Sequence, residues 1–412
     1  MTKKEIAEEK ELMLAQYKKY APEVYRLLNL EMKISEYSNS LYNYKTNSEH
    51  SRRQELIRSV IEEKLQALFG EDFEKNMKIN LSGGLSSNIA DHHQILNNPL
   101  LISSNIISSV KKINCETKQD AIIVISSGDV PPNNYFSKNG FSFHDKRVPL
   151  FSSSERELCS YYIPKRDFDF VKRLKTSDRW KEFSEIEKEF LLKECDKIKS
   201  FDFSRCKNYL DQITVSIKGT WPFLFEEKLR KNLPDLIYLT QEEIVTECLV
   251  KLLEEKNIIS EILFNPILRE KVIENFRGIV VTWRESEMKG THFFWRKYPG
   301  RDQSLRLYLS GNKLVPTDER FKDLPVTLEK EEILELLRKK EIYPSLFMIF
   351  MVLNYYSGVK PLVGYGSVKY LHLMKQAWKK TLLEFGDKKE VELLELVQTD
   401  GLVAGMPFYF QR

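Results

Sequence analysis

The stretch AIIVISSGDVPPNN, residues 121–134, decides the fold class of this chain. It opens with Ala121-Ile122-Ile123-Val124-Ile125, a short, continuous run of apolar residues that is rich in β-branched side chains. Such a run is typical of a strand that is buried on both faces of a sheet. The polar loop that follows, with Asp129 at its centre, contains the Gly, Pro and Asn residues that end strands.

The residues before this run predict the rest of a small α/β unit. A second strand is predicted at Lys78 to Leu81. Between the two strands, Asn98 is a good N-cap and Pro99 suits the first position of a helix. The apolar residues that follow keep to one helical face, and they are Leu100, Leu101, Ile106, Ile107 and Val110. The order of strand, loop, helix and strand predicts an α/β unit near residues 78–165.

Helical and strand patterns alternate along the rest of the chain. In order, the predicted regions are an N-terminal helical layer (1–77), the α/β unit (78–165), a helical region (166–278), an antiparallel β-meander (279–326) and a C-terminal helical region (327–412). We therefore expect a mostly helical α+β protein, with the small α/β unit and a meander near 279–316. One or two compact domains would accommodate a chain of this length.

Three local patterns are the clearest of these. The sequence Thr240-Gln241-Glu242-Glu243 matches a capping box and predicts a helix start. The meander is predicted from apolar strands at 279–283, 293–298, 305–309 and 313–315. The most apolar run, Tyr343 to Tyr356, predicts a buried helix, since it is too short for the roughly 20 residues that cross a bilayer.

Composition restricts the class of protein. The 412 residues include 42% hydrophobic and 30% charged side chains, which is typical of a folded globular chain. The 64 basic and 60 acidic residues are mixed along the sequence, so neither a nucleic acid nor a membrane is expected as a partner. The charged N-terminus lacks the apolar core of a signal peptide, and the five cysteines contain no C-x-x-C pair. A cytoplasmic protein with a small-molecule substrate is expected, and the oligomeric state is not indicated.

One loop carries a dense set of polar residues. It runs from Leu81 to Pro99, after a predicted strand and before a predicted helix, which is where open α/β sheets bind ligands. The adjacent residues Asp91, His92 and His93 are the candidate catalytic residues, because a carboxylate beside a histidine can fix its tautomer and raise its pKa. Candidate substrate-binding residues in the same loop are Ser82, Gly83, Gly84, Asn97 and Asn98.

Three interpretations of this loop remain open. In the first, His92 or His93 moves protons without a metal. In the second, Asp91, His93 and His144 bind a divalent transition metal with one coordination position left open. In the third, the loop is a polar structural element with no chemistry.

The stretch His92-His93-Gln94-Ile95-Leu96-Asn97-Asn98 is similar to the HHxxxDG motif of acyl-transferring condensation enzymes. This partial resemblance implies an acyl substrate and a catalytic role for His93. Asn97 and Asn98 replace the Asp and Gly of the motif. Asp91-His92-His93 also resembles the signature of the DHH phosphoesterases, but the acidic and glycine-rich motifs of that family are absent.

Three further residues are candidate substrate-binding groups. Asp129 follows the best predicted strand and should lie at its carboxyl end. His292 and Arg296 share one face of a predicted strand of the meander. Together these residues favour an enzyme, a transferase or hydrolase, that acts on a small polar or acyl substrate through a histidine-carboxylate centre. The alternative is a non-catalytic binding or regulatory protein.

Overall fold

The computed structural model describes most of the chain. The described residues are 2–28, 32–42, 46–71, 85–88, 91–95, 99–113, 121–134, 140–143, 146–176, 178–230 and 233–404.

The strands within this part of the chain are short. They are β1 (Ser86–Asn88), β2 (Ala121–Ser126), β3 (Gly140–Phe143), β4 (Lys146–Pro149), β5 (Asp235–Thr240), β6 (Phe294–Lys297), β7 (Ser304–Ser310), β8 (Lys313–Pro316), β9 (Val326–Thr327), β10 (Ile342–Pro344), β11 (Lys360–Gly364) and β12 (Gly401–Ala404).

The α-helices account for more of the described residues than the strands do. They are α1 (Lys3–Tyr20), α2 (Pro22–Leu27), α3 (Ile34–Tyr42), α4 (Ser48–Phe69), α5 (Pro99–Ile113), α6 (Phe170–Lys175), α7 (Glu185–Lys199), α8 (Tyr209–Thr220), α9 (Glu227–Arg230), α10 (Gln241–Leu252), α11 (Ile258–Phe264), α12 (Pro266–Phe276), α13 (Lys330–Arg338), α14 (Leu346–Phe350), α15 (Tyr365–Phe385) and α16 (Lys388–Glu395). The predicted fold class, α+β and mostly helical, is confirmed.

Five strands form parallel ladders. β11 pairs in parallel with β1 and with β12, and β2 pairs in parallel with β5. A parallel bridge between His92 and Ser127 joins the two sets just beyond the carboxyl ends of β1 and β2. The ladders β1-β11-β12 and β2-β5 are separate, and this bridge sets them side by side in the order β5-β2-β1-β11-β12. Numbered along the chain, these strands stand in the order 3-2-1-4-5, which is the order of a doubly wound sheet.

Helices cover both faces of this parallel sheet. On one face, Ile122 and Val124 of β2 pack with residues of α8, while Ile107 of α5 packs on β11 and β12. On the other face, Ala121 and Ile125 belong to a core that also contains residues of α4, α10 and α15. The helices that follow the first two strands therefore lie on one face, and those that follow β5 and β11 lie on the other. This change of face makes β1 and β11 the switch point, where such sheets bind ligands at the carboxyl ends.

The predicted antiparallel meander is present, with three of its four predicted strands. Its order is β10-β6-β7-β8-β9, with antiparallel pairs throughout. The strand predicted at 279–283 was wrong, because this segment is a turn after α12. Thr282 Oγ1 donates to the backbone oxygen of Phe276 at 2.7 Å, and Val281 has a left-handed φ of 73°. A strand would need extended backbone at both places.

The apolar run at 343–356 is buried, as predicted, but it is not one helix. Its first two residues belong to β10, and α14 begins after Ser345, whose hydroxyl accepts from the N–H of Met348 at 3.5 Å. A π-helix then spans Met351–Tyr356. In the described part of the chain, no helix is both long and apolar enough to cross a membrane.

Candidate active site at the carboxyl edge of the parallel sheet

The carboxyl ends of three neighbouring strands place five polar residues together. His92 follows β1, Ser127 and Asp129 follow β2, and Gln241 and Glu242 follow β5. We call these five residues the carboxyl-edge cluster. Backbone hydrogen bonds hold the segment after β1 parallel to the segment after β2. The N–H of Ser127 donates to the backbone oxygen of Asp91 at 3.0 Å, and the N–H of His93 donates to the backbone oxygen of Ser127 at 2.8 Å.

The carboxyl groups of Asp129 and Glu242 lie close enough to interact electrostatically. Glu242 is fully buried, whereas Asp129 is partly exposed. The N–H of Gly128 donates to Glu242 Oε2 at 2.7 Å, and Gln241 Nε2 lies 3.3 Å from Glu242 Oε1. Burial raises the pKa of both carboxyls, and the charge of Asp129 raises the pKa of Glu242 further. Two adjacent carboxyls of this kind hold one proton between them, because both cannot be ionised at low cost.

Two buried polar atoms of the carboxyl-edge cluster have unused hydrogen-bonding capacity. Gln241 is fully buried, and its Nε2 donates to Ser127 Oγ at 2.9 Å. Its Oε1 has no hydrogen-bond partner among the described residues, and neither does Nδ1 of His92. Buried polar atoms are nearly always paired in folded proteins, so unpaired ones indicate a place for a water or a polar ligand.

The side chain of His93 lies on the opposite side of the backbone from that of His92 and is fully buried. Its Nδ1 is 3.1 Å from Ser126 Oγ, and its Nε2 is 3.0 Å from the backbone oxygen of Leu210. Burial lowers the pKa of His93 to about 4, so the ring is neutral near pH 7. Because both ring nitrogens have partners inside the core, the side chain anchors this segment to α8.

Asp91 is also fully buried and saturated by donors. Its carboxyl accepts from Tyr238 at 2.7 Å, from Ser104 at 3.0 Å and from Asn88 Nδ2 at 3.0 Å. Burial raises the pKa of Asp91 to about 7, although the hydrogen bonds from Tyr238 and Ser104 lower it. The carboxyl group of Asp91 and the imidazole of His93 thus bind different partners on the same face of the sheet.

The remaining predicted site residues lie elsewhere. His292 Nδ1 accepts from the N–H of Leu309 at 2.8 Å, and its ring centroid lies 4.9 Å from that of Trp283. Arg296 Nη1 donates to the oxygen of Pro325 at 3.1 Å. Both residues are therefore engaged within the meander and the turns beside it. The predicted residues outside the described part of the chain are Ser82, Gly83, Gly84, Asn97, Asn98 and His144.

The predicted metal ligands include His144, whose surroundings the structure does not describe. Within the described ranges, no group of three or more His, Cys, Asp or Glu side chains is arranged to bind a metal ion. The other two predicted ligands, Asp91 and His93, are occupied by the core contacts given above.

Gln241 and Glu242 were not recognised as site residues from the sequence. The capping-box pattern explains them as the first turn of a helix, and α10 does begin at Gln241. The missed signal is the apolar run Leu236-Ile237-Tyr238-Leu239 immediately before them. Interpreted as a strand, that run would have placed both side chains at a carboxyl end.

Comparison with known proteins identifies no relative of this chain. The chain matches no protein-family model, no curated protein and no solved structure.

Proposed function

We propose that this chain is a cytoplasmic enzyme that acts on a small polar or acyl substrate by acid-base catalysis at the carboxyl-edge cluster. Hydrolysis and group transfer are the reaction types that fit. The observation that carries the proposal is the placement of Asp129 and Glu242 at adjacent strand ends. Glu242 is fully buried and accepts from the N–H of Gly128 at 2.7 Å, and the next residue, Asp129, is a partly exposed carboxyl. Pairs of titratable groups with strongly shifted pKa values are typical of catalytic sites.

Asp129 is the proposed acid. It is the partly exposed member of the pair, so it is the one that reaches a substrate. Burial raises the pKa of Asp129 to about 6, so this carboxyl carries the proton of the pair in a fraction of the molecules near neutral pH and can donate it to a leaving group. Glu242 is a positioning residue, because it is fully buried and shares the proton of the pair with Asp129.

His92 is the proposed base. It is partly exposed, it lies beside Ser127 in the parallel bridge, and burial lowers its pKa. A neutral imidazole takes a proton from an attacking water or hydroxyl group while Asp129 gives one to the leaving group. Each cycle therefore restores the original proton count once the proton returns from His92 to Asp129. Asp91 and His93 support this base by fixing its segment in the core.

A cytoplasmic location is part of the proposal. The four cysteines in the described ranges, Cys159, Cys195, Cys206 and Cys248, are free and buried. Free thiols are usual in a reducing compartment.

The first test is a search for ligands and turnover. The wild-type protein is screened for ligand-induced thermal stabilisation against a library of small polar metabolites and acyl esters, and each hit is assayed for conversion by mass spectrometry. Asp129→Asn should reduce the turnover of a converted hit by roughly 10²–10⁴ through lost proton transfer. Because the acid must carry its proton, the rate should also fall as pH rises through the raised pKa of the pair.

Two further variants make this test specific. Glu242→Gln should lower the rate and alter its pH profile, while the exposed carboxyl variant Glu270→Gln should behave as wild type. If compounds bind but none is converted, the enzyme proposal is wrong and the alternative, a non-catalytic binding protein, is favoured. Unchanged turnover and pH profile in both Asp129→Asn and Glu242→Gln would remove the acid pair from the chemistry.

A further inference from the structure

A second feature lies beyond the carboxyl end of β5. A cavity of about 320 Å³ is enclosed by α4, the start of α8, the start of α10 and the turn after α13. Among its lining residues are three lysines, Lys64, Lys207 and Lys340, and two carboxylates, Asp211 and Glu243.

The Glu243 carboxylate has its hydrogen-bonding capacity filled. Its Oε2 is 2.9 Å from the Lys64 ammonium and accepts from Thr240 Oγ1 at 3.2 Å. Its Oε1 accepts from Asn208 Nδ2 at 2.9 Å and from the Lys340 ammonium at 3.2 Å. A carboxylate offers about four acceptor positions, so Glu243 is saturated. Burial would raise the pKa of Glu243, but Lys64 and Lys340 outweigh it and hold that pKa well below its usual range.

Asp211 is likewise engaged on both oxygens. Its Oδ1 accepts from the Lys64 ammonium at 2.6 Å, and its Oδ2 accepts from the backbone N–H of Lys207 at 2.8 Å. Side-chain exposure is 3% for Asp211 and 22% for Lys64. The ion pairs therefore hold Lys64 in place. They fill the acceptor positions of Glu243, whereas Asp211 uses two of its about four positions.

The lysines keep unused donors. An ammonium group has three N–H donors, and Lys64 uses two of them on Asp211 and Glu243. Lys340 uses one on Glu243 and lies 5.5 Å from the ring centroid of Tyr161. Lys207 is exposed and forms no ion pair with any residue in the described ranges. What this wall of the cavity offers to a ligand is mainly hydrogen-bond donors that carry positive charge.

Two further carboxylates line the cavity, Glu63 and Glu247. Both are exposed, and Glu63 is paired with Lys251 at 2.9 Å. Water and salt screen the charges of Glu63 and Glu247, as they also screen those of the exposed Lys207 and Lys340, more than they screen Lys64, Asp211 and Glu243.

We propose that this cavity binds the oxyanion group of a small molecule, a phosphate or a carboxylate, through the ammonium groups of Lys64, Lys207 and Lys340. Ammonium groups are common partners of phosphate and carboxylate oxygens in proteins. This site does not depend on the acid pair. The carboxyl-edge cluster and the cavity are nevertheless adjacent, since Glu242 and Glu243 are consecutive.

The test is direct binding of two simple anions. The wild-type protein is titrated with inorganic phosphate and, separately, with succinate, at an ionic strength held constant with sodium chloride. Thermal melting and calorimetry measure binding. At least one anion should bind more tightly than chloride, and the better one identifies the oxyanion as phosphate or carboxylate.

Matched lysine variants locate the site. Lys340→Met should weaken binding about tenfold, whereas Lys339→Met should not, because the neighbouring Lys339 bonds Glu335 on the surface of α13. Lys207→Met is a second test variant, and because its side chain is exposed the substitution should leave the fold intact. Equal binding by wild type, Lys340→Met and Lys207→Met would overturn the proposal, as would stabilisation no larger than that given by chloride. Glu242→Gln should still bind the anion, which separates this site from the proposed catalysis.

Discussion

The backbone N–H of Gly128 lies 2.7 Å from Oε2 of Glu242 and donates to it, which joins the loop after β2 to the helix start after β5. A Cβ atom on Gly128 would lie 2.5 Å from Thr240 Cγ2 and 2.9 Å from Glu242 Oε2. Non-bonded carbon atoms do not approach so closely, so only glycine fits between these two strand ends without a shift.

Gly128→Ala should therefore destabilise the protein by about 1–3 kcal/mol, as overpacking typically does. It should also displace the Glu242 carboxyl. The free energy of unfolding from urea titration measures the first effect. Gly366→Ala is the matched control, because a Cβ atom on Gly366, in the first turn of α15, would have no neighbouring atom within 4 Å. That control should be neutral or slightly stabilising. Equal effects of the two substitutions would contradict the close approach.

The two adjacent histidines should differ in their contribution to stability. His93→Gln removes a ring that contacts Ser126 and Leu210 in the core, and it should cost about 1–3 kcal/mol by leaving buried partners unpaired. His92→Gln should change the melting temperature little, since His92 is partly exposed.

Thermal melts of both histidine variants, with and without the best ligand from the metabolite screen, measure this difference. His92→Gln should lose turnover with its fold intact. A His93→Gln protein that melts like wild type but has lost turnover would make His93 the catalytic residue and reverse the assignment.

The buried carboxyl of Asp91 predicts a specific pH dependence. Its folded-state pKa of about 7 lies above the roughly 3.9 of an unfolded aspartate. A raised pKa contributes stability that is fully present below about pH 4 and is lost as pH rises toward 7. The free energy of unfolding of wild type, minus that of Asp91→Asn, should therefore fall between pH 4 and pH 7, by on the order of a few kcal/mol.

Urea titrations at several pH values test this prediction for Asp91. The exposed residue Asp178 provides the control, and Asp178→Asn should follow the wild-type pH dependence throughout. A constant difference between wild type and Asp91→Asn would mean that Asp91 does not hold a proton in the folded state.

Local sequence patterns predicted those helices and strands whose signals lie within or directly beside their own residues. Helix α5 begins at Pro99 as its proline signal indicated, and β2 covers the β-branched run at 121–125. The meander was predictable for the same reason, because its strands follow one another closely and are bounded by turns such as Gly311-Asn312.

The parallel sheet was not predictable as a whole, since its partners are far apart in the chain. Ser86 of β1 pairs with Lys360 of β11, and Ala121 of β2 pairs with Asp235 of β5. No local pattern encodes such pairings. The short run at 236–239 was therefore assigned to a helical region, and Glu242 was assigned to a helix cap rather than to a strand end. Asp129 was found because it follows β2, whose strand signal could be identified locally. His92 was found from the dense polar residues of its predicted loop, whereas β1 (Ser86–Asn88), the strand that precedes it, lies within that loop and was not predicted. The strand predicted at 78–81 lies outside the described residues.

The buried segment after β10 gives the most direct test of the core. Phe347 is fully buried in α14, and its ring centroid lies 4.9 Å from that of Phe276, 5.2 Å from Trp283 and 5.9 Å from Phe293. Phe347→Asp would place a carboxylate among these rings. The one hydrogen-bond donor on the three aromatic side chains is the Trp283 N–H, which already donates to the backbone oxygen of Ile273. An unpaired buried charge and the lost aromatic packing together should cost at least about 4 kcal/mol.

Ile186→Asp controls for the change in hydrophobicity and charge, because Ile186 is 82% exposed, and it should shift stability by no more than about 0.5 kcal/mol. Urea titration of both variants measures the difference. If Phe347→Asp proves as stable as Ile186→Asp, the segment at 346–356 lies at the surface and the central core assigned to α14 and the π-helix is wrong.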